Sequence, residues 1–305
     1  MNRISALALG LLAAAFWTHS AVAADGSDTS QAKTLSRTVD AAGLASVRLD
    51  ADVGSITVRA GKTNTVHVEA TASPANHGHF IFDWTFGPPV NELPPDLRLV
   101  TARRGTELVI CLASSTSGCK AVTEAAEEAT AGSGHRRVTV VAPGGGFHVE
   151  YGGDSNTAWK ADWTLVVPAR LALELRSGVG SADISGVGGG LQAHIGVGKV
   201  DAVLPRGPVS VNVGVGDADI TVASPDYGSV HLAAGVGDVS FEVNGNKNTT
   251  GYDHQFTAAS QELDGPGGPA YTLKAGVGHV KLALGEHAGP HSAEGAQNGA
   301  DDDAP

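Results

Sequence analysis

Three aspartates in the C-terminal half of the chain have the spacing expected of equivalent positions in a repeat protein. Asp183, Asp201 and Asp219 follow one another at 18-residue intervals (201−183 and 219−201). Equivalent positions in stacked strands lie about 4.8 Å apart, so the three carboxylates would repel one another unless water screens them or a cation binds. Because Ca²⁺ binds several carboxylate oxygens, one alternative is a calcium site. We favour a hydrated polar face and therefore expect no metal and no other cofactor.

The two cysteines of the chain, Cys111 and Cys119, are close in sequence. In an oxidising compartment such a pair closes a local loop. No Cys or His spacing around them matches a zinc site, and an even number of cysteines argues against a catalytic thiol. The pair therefore predicts a structural disulfide.

Motifs that carry catalysis are missing from the sequence. There is no Gly-x-Ser-x-Gly elbow, no His-Glu-x-x-His and no phosphate-binding Walker loop. Three histidines, His67, His77 and His79, are near one another, but solvated loop histidines explain them better than a metal site. We predict no catalytic residue and no enzymatic activity. A glycan-active β-helix enzyme stays an alternative, because such enzymes place Asp, Lys and Arg on one outer face.

A short phrase, Gly-Val-Gly, recurs through the C-terminal half and indicates internal repeats. Its first glycines are 18, 18, 21 and 41 residues apart (196−178, 214−196, 235−214 and 276−235). The last interval is close to two periods, which predicts a repeat hidden in a loop, with a strand over residues 252–258. A weaker copy, Asp52-Val53-Gly54, stands near the start of the chain. The complete copies begin at Gly178, Gly196, Gly214, Gly235 and Gly276.

Apolar residues alternate on both sides of each phrase, but the alternation changes parity there. In the second copy, Leu191, Ala193 and Val197 take one parity, whereas Val200 and Ala202 take the other. Alternation with period two indicates a strand with one buried face. A slip of one residue would turn the apolar side chains outward, so the chain must kink or bulge at the glycines. Each repeat is thus predicted to be two short strands joined at a glycine corner.

Units of two short strands bury their apolar side only by stacking. We therefore predict an all-β fold, a β-solenoid or β-roll of stacked two-strand rungs with Gly-Val-Gly corners. A sandwich of antiparallel hairpins is the alternative. The near-constant repeat length favours the solenoid.

The rest of the chain divides by composition. Residues 1–23 have Arg3, an apolar run and Ala21-Val22-Ala23, which predict a secretory signal peptide. The apolar run is too short to span a membrane, so we expect no transmembrane segment. The further predicted divisions are a mobile leader over residues 24–44, a first repeat-like β segment over 45–73, an insertion or cap over 74–162, solenoid repeats over 163–284 and a disordered acidic tail over 285–305.

The insertion over residues 74–162 breaks the period. It contains strand-like runs and one segment, residues 121–131, whose composition favours a short helix. A cap for the end of the solenoid is the favoured role. The alternative is a ligand site in its loops, because it holds the aromatic residues Trp84, Tyr151, Trp159 and Trp163.

The charge of the chain narrows the class of partner. The formal net charge is −12 at pH 7, and removal of Arg3 with the signal peptide would make it −13 (−12−1). An acidic chain repels phosphate backbones, so nucleic-acid binding is not expected. The partners we expect are a surface protein or a glycan of the cell envelope.

Two stretches resemble the bacterial putative-adhesin family, a repeat domain of unknown function. They are the run Ala161-Asp162-Trp163-Thr164-Leu165-Val166-Val167-Pro168 and the Gly-x-Gly-Asp-Val-x-Val rungs, clearest over residues 235–243. The resemblance implies an exported β-solenoid without catalytic residues. We therefore predict a non-enzymatic, adhesin-like binding module of the cell envelope, located in the periplasm or at the cell surface. The alternatives are a periplasmic structural or signalling scaffold, a Ca²⁺-binding β-roll and the glycan-active enzyme.

Overall fold

The structure is a computed structural model of the chain. It describes residues 32–74, 92–114, 119, 137–142, 145–150, 159–250 and 258–285, with the backbone alone for 137–142, 145–150 and 247–250. The predicted signal peptide, most of the predicted leader, the helix predicted over 121–131 and the acidic tail beyond Gly285 lie outside the described residues. So do residues 252–257 of the predicted hidden strand.

The described residues form strands and no helix, which confirms the all-β prediction for this part of the chain. The strands are β1 (Lys33–Asp40), β2 (Ser46–Val53), β3 (Ile56–Gly61), β4 (Thr65–Pro74), β5 (Arg98–Arg104), β6 (Glu107–Ala113), β7 (Arg137–Ala142), β8 (Gly145–Glu150), β9 (Trp159–Pro168), β10 (Ala172–Ser185), β11 (Leu191–Leu204), β12 (Val209–Val222), β13 (Ser229–Val236), β14 (Val239–Val243), β15 (Asn246–Thr250), β16 (Ala259–Asp264), β17 (Ala270–Val277) and β18 (Val280–Leu284).

Successive repeats pair in parallel and in register. β10, β11 and β12 are neighbours in one sheet, and Gly180 pairs with Gly198 while Leu173 pairs with Leu191. The early copy of the phrase stacks in the same way, since β2 pairs in parallel with the first half of β10 and β3 with the second half. Because every repeat places the same residue types at the same positions, in-register stacking brings like side chains together and buries the apolar ones.

The second glycine of each phrase makes this close stacking possible. Gly180, Gly198 and Gly216 have φ values of +151°, +145° and +132°, a region that L-residues with a Cβ rarely adopt. A Cβ on Gly198 would also collide with the carbonyl oxygen of Gly180, and one on Gly216 with that of Gly198. The column continues through Gly54 at one end and through Gly278 and Gly237 at the other.

The column of glycines divides the sixteen-stranded sheet into two faces that enclose one core. The first face consists of β5, β6, β2, the first halves of β10, β11 and β12, then β17, β13 and β16. The second face consists of β1, β4, β9, β3, the second halves of β10, β11 and β12, then β18, β14 and β15. Leu175 of the first face and Ile184 of the second are fully buried in the same apolar cluster.

The valine inside the phrase is not a core residue, contrary to the predicted alternation. Val197 is 38% exposed, whereas Ile195, just before the phrase, is buried. The chain leaves the first face at Gly196, so the last inward position comes before the phrase. The inward positions resume at Val200 on the second face, as predicted.

The long interval between the last two phrases does not add a parallel rung within the described residues. β15 and β16 lie in this interval and pair antiparallel with β14 and β13. The last repeat, β17 and β18, then lies between β12 and the repeat that precedes it in sequence. The spatial order of the last two repeats is therefore the reverse of their order in the chain.

Part of the insertion extends the first face. β6 pairs with β2, and β5 pairs with β6. On the outer side of these strands Val109, Cys111, Ala113 and Cys119 form a second, smaller apolar cluster. β7 and β8 form a separate two-stranded sheet.

Candidate functional site

The structure brings the three predicted aspartates together. Asp183 pairs in register with Asp201, and Asp201 with Asp219, on the second face. Each of them also has a basic partner. Both guanidinium Nη atoms of Arg59 donate to the Asp183 carboxylate at 2.9 Å, Lys199 Nζ lies 2.8 Å from Asp201 Oδ1, and Lys281 Nζ lies 4.0 Å from Asp219 Oδ1.

The ion pairs shift the pKa of three of these groups, and that of Arg59 is raised by its hydrogen bonds to Asp183. Hydrogen bonds from Arg59 hold the pKa of Asp183 below its usual range, against a smaller opposing effect of burial. The hydrogen bond to Asp201 raises the pKa of Lys199. The three adjacent carboxylates are therefore flanked by basic side chains, with Lys281 next to Asp219 in the register. The repeat spacing revealed the carboxylates and places Lys281 at the equivalent position of the last repeat, but it missed Arg59, which pairs in register with Ser185 and reaches Asp183 from there.

Within the residues that the structure describes, no three His, Cys, Asp or Glu side chains are grouped closely enough to hold a metal ion. The calcium alternative stays a prediction, and a cation would have to compete with the three basic partners. His67, one of the predicted loop histidines, lies in β4, where its Nδ1 is 2.9 Å from the Thr38 hydroxyl. His77 and His79 lie outside the described residues.

A second polar surface, on the first face, was not predicted. Gln192 pairs in register with Ser210, and His194 with Asn212, and all four side chains are exposed. We call these four residues the central patch. Gln192 Nε2 and His194 Nε2 are 3.1 Å apart. The sequence did contain the signal, since these residues occupy the polar positions that alternate with the buried ones.

The central patch is uncharged at neutral pH. Desolvation by its neighbours and, to a smaller extent, the charge of Arg176 lower the pKa of His194. A neutral imidazole donates one hydrogen bond and accepts another. The patch thus offers amide, hydroxyl and imidazole groups, which suit neutral hydrogen-bonding ligands.

The aromatic residues of the insertion do not form an open site in the described part of the chain. Trp159 and Trp163 are buried on the inner side of β9. With Asp50, Asp52 and Leu112 they line a recess that has room for a water molecule but not for a sugar ring. The Trp163 Nε1 donor has no hydrogen-bond partner among the described residues. Trp84 and Tyr151 lie outside the described residues.

The predicted disulfide is present. Cys111 and Cys119 are bonded to each other, and Cys111 lies in β6 with 3% of its surface exposed. The bond fixes Cys119 against the outer side of the first face. A disulfide is typical of proteins that fold in an oxidising compartment. In the described part of the chain, no helix has the length and apolar character to cross a membrane.

Comparison with known proteins gives one distant similarity. No family model matches the chain, and no curated protein matches it. Among solved structures, the chain is similar to a putative cell adhesion protein from Clostridium sporogenes, with 16% sequence identity and a TM-score of 0.44, covering 83% of this chain and 100% of that chain. A similarity at this level decides neither fold nor function, and the resemblance to the adhesin family stays a prediction.

Proposed function

We propose that this chain is an exported, non-enzymatic binding module of the bacterial cell envelope, built as a β-solenoid and acting like an adhesin. The observation that carries the proposal is the in-register stacking of exposed polar side chains on the first face. Gln192, His194, Ser210 and Asn212 repeat hydrogen-bonding groups at the spacing of neighbouring strands, about 4.8 Å. A regular surface of this kind suits an extended partner.

The solenoid part of the proposal is supported by the parallel pairing of β10, β11 and β12 and by the glycine column at their corner. Such stacking presents side chains on a rigid lattice of backbone hydrogen bonds. Preorganised side chains lose little conformational entropy on binding. The small entropy loss compensates for the small binding free energy of each individual contact.

The partner class follows from the chemistry of the central patch. Its groups are neutral donors and acceptors, and the acidic chain as a whole repels polyanions. A neutral glycan or a polar protein segment of the cell surface fits these groups. A nucleic acid does not.

The experiment is retention of the purified chain on bacterial cells, extracellular matrix and immobilised glycans. We expect saturable retention without any product. The double variant Gln192→Ala with Asn212→Ala should reduce retention at least about tenfold, the effect of losing about 1.4 kcal/mol of binding free energy.

The matched control is Ser181→Ala with Thr57→Ala, which removes polar groups from the second face. This variant should bind like the unmodified chain. Retention that never saturates, or equal loss in both variants, would refute a site on the first face. Release of a product from a glycan would show an enzyme instead.

A further inference from the structure

The two ends of the stacked sheet are open strand edges. One end is formed by β5 on the first face and β1 on the second, and the other by β16 and β15. In the described part of the chain, each of these strands pairs with a single neighbour. An edge strand presents unpaired backbone N–H and C=O groups and accepts another strand.

One end of the stack is basic. β5 has the sequence RLVTARR and β1 the sequence KTLSRTVD, so the two strands carry Arg98, Arg103, Arg104, Lys33 and Arg37 against a single acid, Asp40. We call this the basic end. Arg98, Arg103 and Arg37 are exposed. Arg37 pairs in register with the buried Val68, and a charge on the inner side of an edge strand opposes unselective pairing.

The opposite end is acidic on the first face. β16 has the sequence ASQELD, with Glu262 and Asp264 and no basic residue. We call this strand the acidic end. Both carboxylates are exposed and lie on the outer side, since they pair across from His231 and Ser229. Glu262 Oε1 lies 2.9 Å from His231 Nδ1.

The directions of the two end strands are compatible with continuing the first face. β5 runs antiparallel to β6, β16 runs antiparallel to β13, and the strands between them are parallel. β5 and β16 therefore run in the same direction. A second copy shifted along the stack would place its β5 beside β16 as a parallel neighbour.

We propose that copies of this chain associate head to tail, the acidic end of one pairing edge to edge with the basic end of the next. Two basic ends would bring arginine against arginine, and two acidic ends carboxylate against carboxylate, so the charges disfavour symmetric pairs. Opposite ends attract one another. A contact between different surfaces related by a shift along the stack does not close, so it produces open linear assemblies.

The proposal goes beyond the binding function and does not depend on it. Its test is the mass of the chain, purified after export from a bacterial host, measured by sedimentation velocity at increasing concentration. At low salt the average mass should rise beyond that of two copies. Added salt should lower it, because exposed charges are screened beyond about 8 Å at physiological ionic strength.

Two charge reversals make the test specific. Arg104→Glu alone and Asp264→Arg alone should each yield monomers, since these residues lie at the same end of β5 and β16 and each change brings like charges together at the contact. Mixing the two variants should restore association, because one variant keeps an intact acidic end and the other an intact basic end. An unfolded variant could not do this. Glu262→Arg serves as a second reversal of the acidic end.

The matched control is Arg206→Glu, which makes the same charge change at an exposed position between β11 and β12, away from both ends. It should associate like the unmodified chain. A monomer at all concentrations at low salt would overturn the proposal. A mass that levels off at two copies and is unchanged by either charge reversal would also overturn it. So would a mixture of the two folded variants that stays monomeric.

Discussion

Gly198 stacks on Gly180 so closely that a Cβ on Gly198 would overlap the carbonyl oxygen of Gly180. The contact repeats from Gly54 to Gly237 along the whole stack. It explains why the phrase needs its second glycine, since the corner leaves no room for a Cβ there.

Gly198→Ala should destabilise the chain strongly. The new Cβ meets backbone that cannot move aside, at a φ of +145°. We expect a loss of at least about 3 kcal/mol in the free energy of unfolding, measured by urea denaturation. The control is Gly267→Ala, whose φ is +130° but whose Cβ would have nothing within 4 Å. It should cost about 1–2 kcal/mol from backbone strain alone, and equal losses would show that crowding contributes nothing.

Ser177→Ala should stabilise the chain. The Ser177 hydroxyl is buried and has no hydrogen-bond partner among the described residues, and its neighbour in the next repeat is the apolar Ile195. Removing an unsatisfied buried hydroxyl should gain about 1 kcal/mol, seen as a higher melting temperature. Ser55→Ala is the contrast, because the Ser55 hydroxyl donates to Asp162 Oδ1 at 2.7 Å. That variant should melt lower, and a lower melting temperature for Ser177→Ala would contradict the assignment.

Alkaline pH should weaken the fold through Tyr271. Burial, and secondarily the charge of Asp226, raise the pKa of Tyr271 to about 12. Because the folded-state pKa is above the unfolded value of about 10, the stabilising contribution is complete below pH 10 and is lost as the pH rises towards 12. A difference of about 2 pKa units corresponds to about 2.7 kcal/mol.

Tyr271→Phe provides the control for this pH dependence. It loses only the 3.3 Å hydrogen bond from the phenol to the Asp226 carbonyl. Urea unfolding should show a steeper decline above about pH 10 for the unmodified chain than for the variant. Parallel declines would mean that other groups cause the alkaline loss.

Calcium should leave the melting temperature unchanged. The carboxylates of Asp183, Asp201 and Asp219 are matched by Arg59, Lys199 and Lys281, so a cation gains little by replacing them. A calcium site, with free Ca²⁺ at a hundredfold excess over its Kd, would add about 2.7 kcal/mol to the free energy of unfolding. Thermal unfolding in excess Ca²⁺ and in EDTA distinguishes the two cases. A higher melting temperature in Ca²⁺, absent in Asp201→Asn, would establish the calcium alternative.

The sequence by itself determined the strands of the repeats and their mutual register. Leu191 and Ala193 alternate with polar residues, Val200 and Ala202 do so in the other parity, and the glycines between them permit the change. These signals are local, since side-chain direction in a strand depends only on position. The alignment of Gly180 with Gly198 and the stacking of the three aspartates follow from them.

Only the tertiary structure decided which repeat lies beside which. Every repeat carries the same apolar pattern, so β12 could accept either β13 or β17 with the same register. The antiparallel strand β16 closes one side of β13, and the other side is paired with β17. Contacts between segments distant in sequence also decided the ion-pair partners of Arg59 and Lys281. They likewise decided the exposure of Val197 and which strands form the two oppositely charged ends, and no local pattern encodes such contacts.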